Sequence, residues 1–123
     1  MLLQSIPVLR IFDVAKAKEF YIDWLGFEIE WEHQFEPGTP FYIGIKKDNL
    51  VFHLSEHHGD SVPGVTVFIT CTEIEKFHAS LQPYKYYRPS VEKTFYGSLQ
   101  MVVQDPFGNK LAFNEYVKEE SGN

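Results

Sequence analysis

An apolar strand, an amphipathic helix and three further strands follow one another twice along this chain, and that repeat constrains the fold more than any other feature. In the first copy residues 5–11 read as a strand and Asp13 offers a side-chain oxygen to cap a helix. Val14, Ala17, Phe20, Tyr21, Trp24 and Leu25 recur at spacings of three and four, so they share one helical face, and Gly26 stops the helix. Residues 27–35, 41–45 and 50–55 then read as strands, with a Pro- and Gly-containing loop at 36–40. After a polar linker, residues 56–64, the order returns. Residues 65–71 form a strand, and Thr72 and Glu75 have capping-box spacing for a helix with Ile74, Phe77 and Leu81 inward and Pro83 at its end. Strands are expected at 84–88 and 91–95, and then a turn at Tyr96 and Gly97 leads to a closing hairpin, 99–104 and 110–116. Each copy is too small to bury a sheet alone, so residues 1–123 are expected to form one domain: module one about 5–55, linker 56–64, module two about 65–117.

The turn of that hairpin is explicit in its chemistry. Asp105 opens it, Pro106 presets the next backbone angle, and Gly108 with Asn109 tolerate positive φ.

With 44% hydrophobic and 16% aromatic residues the chain can build a core. The lone cysteine, Cys71, excludes an internal disulfide and a cysteine-rich zinc knuckle; it reads as a small buried hydrophobe in a reducing, cytoplasmic setting. The N-terminus lacks the basic start and apolar core of a signal peptide, and no apolar run is long enough to span a bilayer. Seventeen acidic against eleven basic residues give a net charge of −6, which argues against nucleic acid and favours a cationic small molecule.

PVLRIFDVAKAKEFYIDWLGFEIEW and DPFGNKLAF resemble the opening and the closing hairpin of vicinal oxygen chelate proteins, the superfamily of glyoxalase I, extradiol dioxygenases and bleomycin-resistance proteins. The resemblance covers residues 5–117. It implies an α+β fold of two tandem βαβββ modules forming an open curved mixed sheet. WEHQFEPGTPFYIGI and LVFHLSEHHGD resemble the bleomycin-resistance branch most, although Leu99 stands where many such relatives have Arg after aromatic-Gly-X.

Enzymes of this superfamily hold a divalent metal at four strand positions, which the resemblance places here on Ile6, His53, Val65 and Ala112. One ligand of four cannot hold a catalytic metal, so no metal and no cofactor are expected. Alternation turns Phe52 and Leu54 toward the helix and Val51, His53 and Ser55 toward the other, concave face. His53 is thus either a cavity residue or a histidine hydrogen-bonded within the sheet. Glu56, His57, His58 and Asp60 read as a solvated loop and not a metal site, and His33 and His78 as surface or partly packed.

With the metal positions apolar, the concave face becomes a groove for binding. Trp31, Phe35 and Tyr42, interleaved with Glu32, suit stacking on flat cationic rings, and His53, Glu56 and Tyr96 complete the expected ligand-binding set. Similarity to the bleomycin-resistance branch implies a homodimer that sequesters a bleomycin-type antibiotic without bond chemistry, its N-terminal strand, residues 2–11, exchanged between subunits. The alternative is a metal-dependent glyoxalase-, lyase- or dioxygenase-like enzyme using His53 or Glu56 as acid or base.

Overall fold

The structure, a computed structural model, describes residues 1–84 and 89–117. Apart from Tyr84, the strand expected at 84–88 lies outside the described residues. The chain divides into two compact units: Met1–Val65 with Asp105–Asn109, and the described residues of Thr66–Gln104 with Lys110–Asn123.

The first unit contains β1 (Val8–Arg10), α1 (Val14–Lys18), β2 (Glu28–Gln34), β3 (Phe41–Lys47) and β4 (Leu50–Ser55). Its sheet runs β1-β4-β3-β2, with β1 parallel to β4 and the other pairs antiparallel. Asp13 caps α1 as expected, its Oδ1 accepting from the Lys16 amide at 2.9 Å. The helix does not continue with α period. Glu19–Trp24 form a π-helical turn, closed by the Leu25 amide on the Phe20 carbonyl at 3.0 Å. This widening leaves the sequence neighbours Phe20 and Tyr21 both 0% exposed, packed edge to face at 4.8 Å. Gly26, at φ +88°, then turns the chain toward Phe27, whose ring stacks on Phe52 at 5.2 Å. β1 is shorter than expected because Pro7 has no amide to donate, although its carbonyl still accepts from His53.

The second unit repeats the order with β5 (Thr66–Thr70), α2 (Ile74–Ser80), β6 (Val91–Lys93), β7 (Ser98–Gln104) and β8 (Lys110–Tyr116). Its sheet runs β5-β8-β7-β6, again with the first strand parallel to the last. The capping box is not used. Glu73 is the N-cap, at φ +55° without a side-chain bond, and the Glu115 carboxylate on β8 accepts from the amides of Glu73 and Ile74 at 3.1 and 3.0 Å. Leu81 is already extended, so α2 ends before Pro83 is reached. β6 stops at Lys93, leaving Phe95 and Tyr96 in the turn before Gly97, at φ +86°.

The DPFGN turn belongs to the first unit. Gly108 has the expected positive φ, +90°, but Asn109 does not, and it acts through its side chain instead. Its Nδ2 donates to the Arg10 carbonyl and to Asp105 Oδ2, both at 2.9 Å, while its Oδ1 accepts from the amides of Gly64 and Val65. Asp105 also accepts from the amides of Phe107 and Asn109, each at 2.8 Å, and from the Tyr21 hydroxyl at 2.7 Å. Burial, with the Asp105 charge and hydrogen bond added, pushes the Tyr21 phenol well above its ordinary pKa.

Candidate functional site: an aromatic face on the first sheet

On β4, Phe52 and Leu54 are each 1% exposed and face the helix, so His53 and Ser55 lie on the opposite, open face. β3 alternates in step. Ile43 and Ile45 are buried and Tyr42 and Gly44 stand on the open side, paired with Ser55 and His53.

Strict alternation along β2 would place Trp31 with Ile29, against the core side. A β-bulge between Ile29 and Trp31 prevents this: Ile29 pairs with Ile45, Trp31 pairs with Gly44, and Glu30 is the extra residue. The indole is thereby carried onto the open face, where it lies across Gly44. A Cβ on Gly44 would come within 2.6 Å of the indole Nε1, so only glycine allows this placement.

Three rings meet there. Trp31 and Tyr42 are parallel, 4° apart with centroids at 5.7 Å, and His53 stands at 72° to both, 5.0 and 5.2 Å away. The Tyr42 hydroxyl and His53 Nδ1 share a hydrogen bond of 2.8 Å. Burial lowers the His53 pKa against the opposing charge of Glu30, so the imidazole is held neutral near neutral pH. Burial and the charge of Asp60 raise the Tyr42 phenol, which keeps its proton. Two carboxylates, Glu30 and Asp60, thus act electrostatically on the rings, and neither was expected there.

The remaining residues expected in the site fall differently. Phe35 is 75% exposed and meets His33 at 4.7 Å and His57 at 6.3 Å, edge to face in both cases, extending the aromatic surface along its rim. Glu32, one residue past the bulge, pairs with buried Ile43 and forms an ion pair of 2.7 Å with Lys18 on α1, so its charge serves the helix side. Glu56 anchors the linker: its Oε1 accepts from the Phe41 amide at 3.0 Å and its own amide donates to the Phe41 carbonyl. Tyr96 lies in the second unit, 41% exposed, its hydroxyl donating to Asn114 Oδ1 and accepting from Gln100.

Ser55 is fully buried, with its Oγ donating to Asp60 Oδ2 at 2.7 Å and accepting from the His57 amide at 3.0 Å, which folds the start of the linker over the sheet. No three His, Cys, Asp or Glu side chains converge into a metal site among the described residues. The donor set at His53 does not fit a catalytic metal: its neighbours are Trp31 and Tyr42, and its Nδ1 is already engaged.

A family model described as glyoxalase superfamily protein matches residues 1–120. The chain belongs to the glyoxalase superfamily. Solved structures with the same fold include the bleomycin-binding protein of Streptomyces verticillus in complex with copper(II)-bleomycin, at 25% identity and TM-score 0.67, covering 95% of this chain and 98% of that one. A second bleomycin-binding protein, complexed with bleomycin, matches at 17% identity and TM-score 0.69 over 94% of this chain and 100% of its own. A glyoxalase-related enzyme from Clostridium phytofermentans matches at 16% identity and TM-score 0.72, covering 95% and 97%. A search of curated proteins returns no match. Solved structures with this fold are thus described both as bleomycin-binding proteins and as a glyoxalase-related enzyme.

Proposed function

We propose that this superfamily member is a metal-free binding protein that captures a flat, cationic aromatic compound on the open face of its first sheet. The observation that carries this reading is the three-ring corner of Trp31, Tyr42 and His53, with Trp31 42% exposed and the charges of Glu30 and Asp60 acting on it. A ring laid against that corner gains stacking area, and a positive charge on it gains from the aromatic faces and the carboxylates together. Bleomycin-type antibiotics fit this chemistry, and structures described as bleomycin-binding share the fold. Capture involves no bond made or broken, and two copies of the chain form the working unit in the cytoplasm, with exchange of the apolar N-terminal segment as its link.

Titration calorimetry with bleomycin tests the reading. Binding in the micromolar range or tighter, weakened at least 10-fold by Trp31→Ala, is expected. No heat, together with no protection of DNA from cleavage, removes the antibiotic assignment. The Tyr42–His53 hydrogen bond is the one observation that favours the competing, catalytic reading, with His53 as proton acceptor. Stoichiometric divalent metal in protein purified without chelators would support that alternative.

A further inference from the structure

Arg10 sits on the same face as the rings and lacks something. In the parallel pairing of β1 with β4 it lies beside Ser55, which lies beside Tyr42 on β3, so Tyr42, Ser55 and Arg10 form one row across the sheet. At about 4.8 Å per strand, the Arg10 and Tyr42 backbones are roughly 10 Å apart, within reach of one small molecule and a long side chain. The guanidinium is stacked on Phe12, its Cζ 4.7 Å from the ring centroid. Its Nη1 is buried and has no hydrogen-bond partner among the described residues. A charged donor withdrawn from water without an acceptor is costly, and in a chain with six surplus acids no carboxylate of the described residues forms an ion pair with it. The nearby carboxylates are committed elsewhere: Asp60 to Ser55, and Asp105 to Tyr21 and Asn109.

We infer that Arg10 is an anion subsite of the same face, so that the ligand carries a carboxylate or similar acidic group in addition to its flat cationic part. The inference rests on the binding reading above and deepens it from an aromatic cation to an aromatic zwitterion. Arg10 is only partly buried overall, so an anion docking on the guanidinium engages Nη1 through a small rotation of the terminal side-chain bonds, completing a bidentate pair. The cation–π contact with Phe12 holds the plane in place for it.

The test compares two matched probes by calorimetry. Tryptamine carries the ring and the ammonium; tryptophan adds only a carboxylate. Wild-type protein is expected to bind tryptophan at least 5-fold more tightly than tryptamine, Arg10→Met to bind the two alike, and Arg10→Lys to recover part of the preference. Tryptamine binding as well as tryptophan to the wild type overturns the subsite and leaves the aromatic face standing; binding of neither probe overturns both. Inorganic phosphate gives a readout that does not depend on the rings. It should raise the Tm of the wild type and of Trp31→Ala by roughly 3 °C more than that of Arg10→Met, the general salt effect being common to all three. Equal shifts in the three proteins overturn the subsite.

Discussion

The two sheets share one strand order, and their open faces carry opposite kinds of surface. In the first sheet the row across β1, β4 and β3 is Val8, His53 and Gly44, with Trp31 beyond it on β2. The matching row of the second is Phe68, Ala112 and Val102. The next row is Arg10, Ser55 and Tyr42 in the first, and Thr70, Asn114 and Gln100 in the second. Asn114 is fully buried there, and its Oδ1 accepts from Ser98, Gln100 and Tyr96. In the second sheet Asn114 and Gln100 of that row are hydrogen-bonded to each other, whereas the first keeps stacked rings and an unsatisfied guanidinium nitrogen. Topology was duplicated and the surface was not: a bulge and a glycine in β2 and β3 make one copy a platform.

The comparison breaks first at the DPFGN turn, whose counterpart in the first copy is only the two-residue turn Asp48–Asn49 between β3 and β4. Asp105→Ala removes the acceptor shared by four donors and is expected to cost about 3–5 kcal/mol, read as a fall in the urea midpoint at unchanged slope. Asn114→Ala should cost less, about 1–3 kcal/mol, because its partners include exposed Tyr96 and half-buried Gln100, which water can resolvate.

The platform itself is tested at matched positions. Gly44→Val should displace the indole, weaken ligand binding about 100-fold and cost roughly 1–3 kcal/mol of stability, while the mirror change Val102→Gly should leave binding within about 2-fold. Equal losses from both would mean that the second face binds too. Trp31→Ala should weaken binding about 10- to 100-fold with little change in Tm, since the ring is 42% exposed. Phe68→Ala, at the row position of Val8 on the other sheet and 52% exposed, should do neither.

The smallest effects are in pH. Tyr21 has a raised pKa in the fold, so its contribution is fully present below the ordinary value of 10.0 and is lost as pH rises through and beyond it. Tyr21→Phe should flatten that alkaline decline in a denaturation series. His53 has a lowered pKa, so its contribution is present above the ordinary 6.5 and fades as pH falls through the folded value. His53→Gln should remove this weaker acidic slope, and an unchanged slope would show that the imidazole is solvated.

Residues close in sequence were legible because their physics is local. The capping of α1 by Asp13, the positive φ of Gly26 and Gly108, and the burial of Phe52 and Leu54 against half-buried His53 on the other face all depend on a few neighbouring residues. Membership of the superfamily was legible for the same reason, through the two motifs that frame the chain. The capping of α2 was not, because its acceptor, Glu115, is distant in sequence and comes from β8. Nor was the role of Asn109, which works through bonds to Arg10 and Gly64 rather than through its own backbone.

The candidate site divides along the same line. The sequence by itself determined that Trp31, Tyr42 and His53 were available, two strands and a loop apart, on a chain with an excess of acid. Only the tertiary structure decided that they meet, since alternation alone sends Trp31 to the wrong face and the bulge at Glu30 reverses it. The same single-residue shift sends Glu32 to Lys18 and leaves Glu30 as the carboxylate acting on His53. A strand has a period of two, so one inserted residue exchanges its faces, and the indole it turns over comes to lie on Gly44 across the ladder, where any Cβ would meet it.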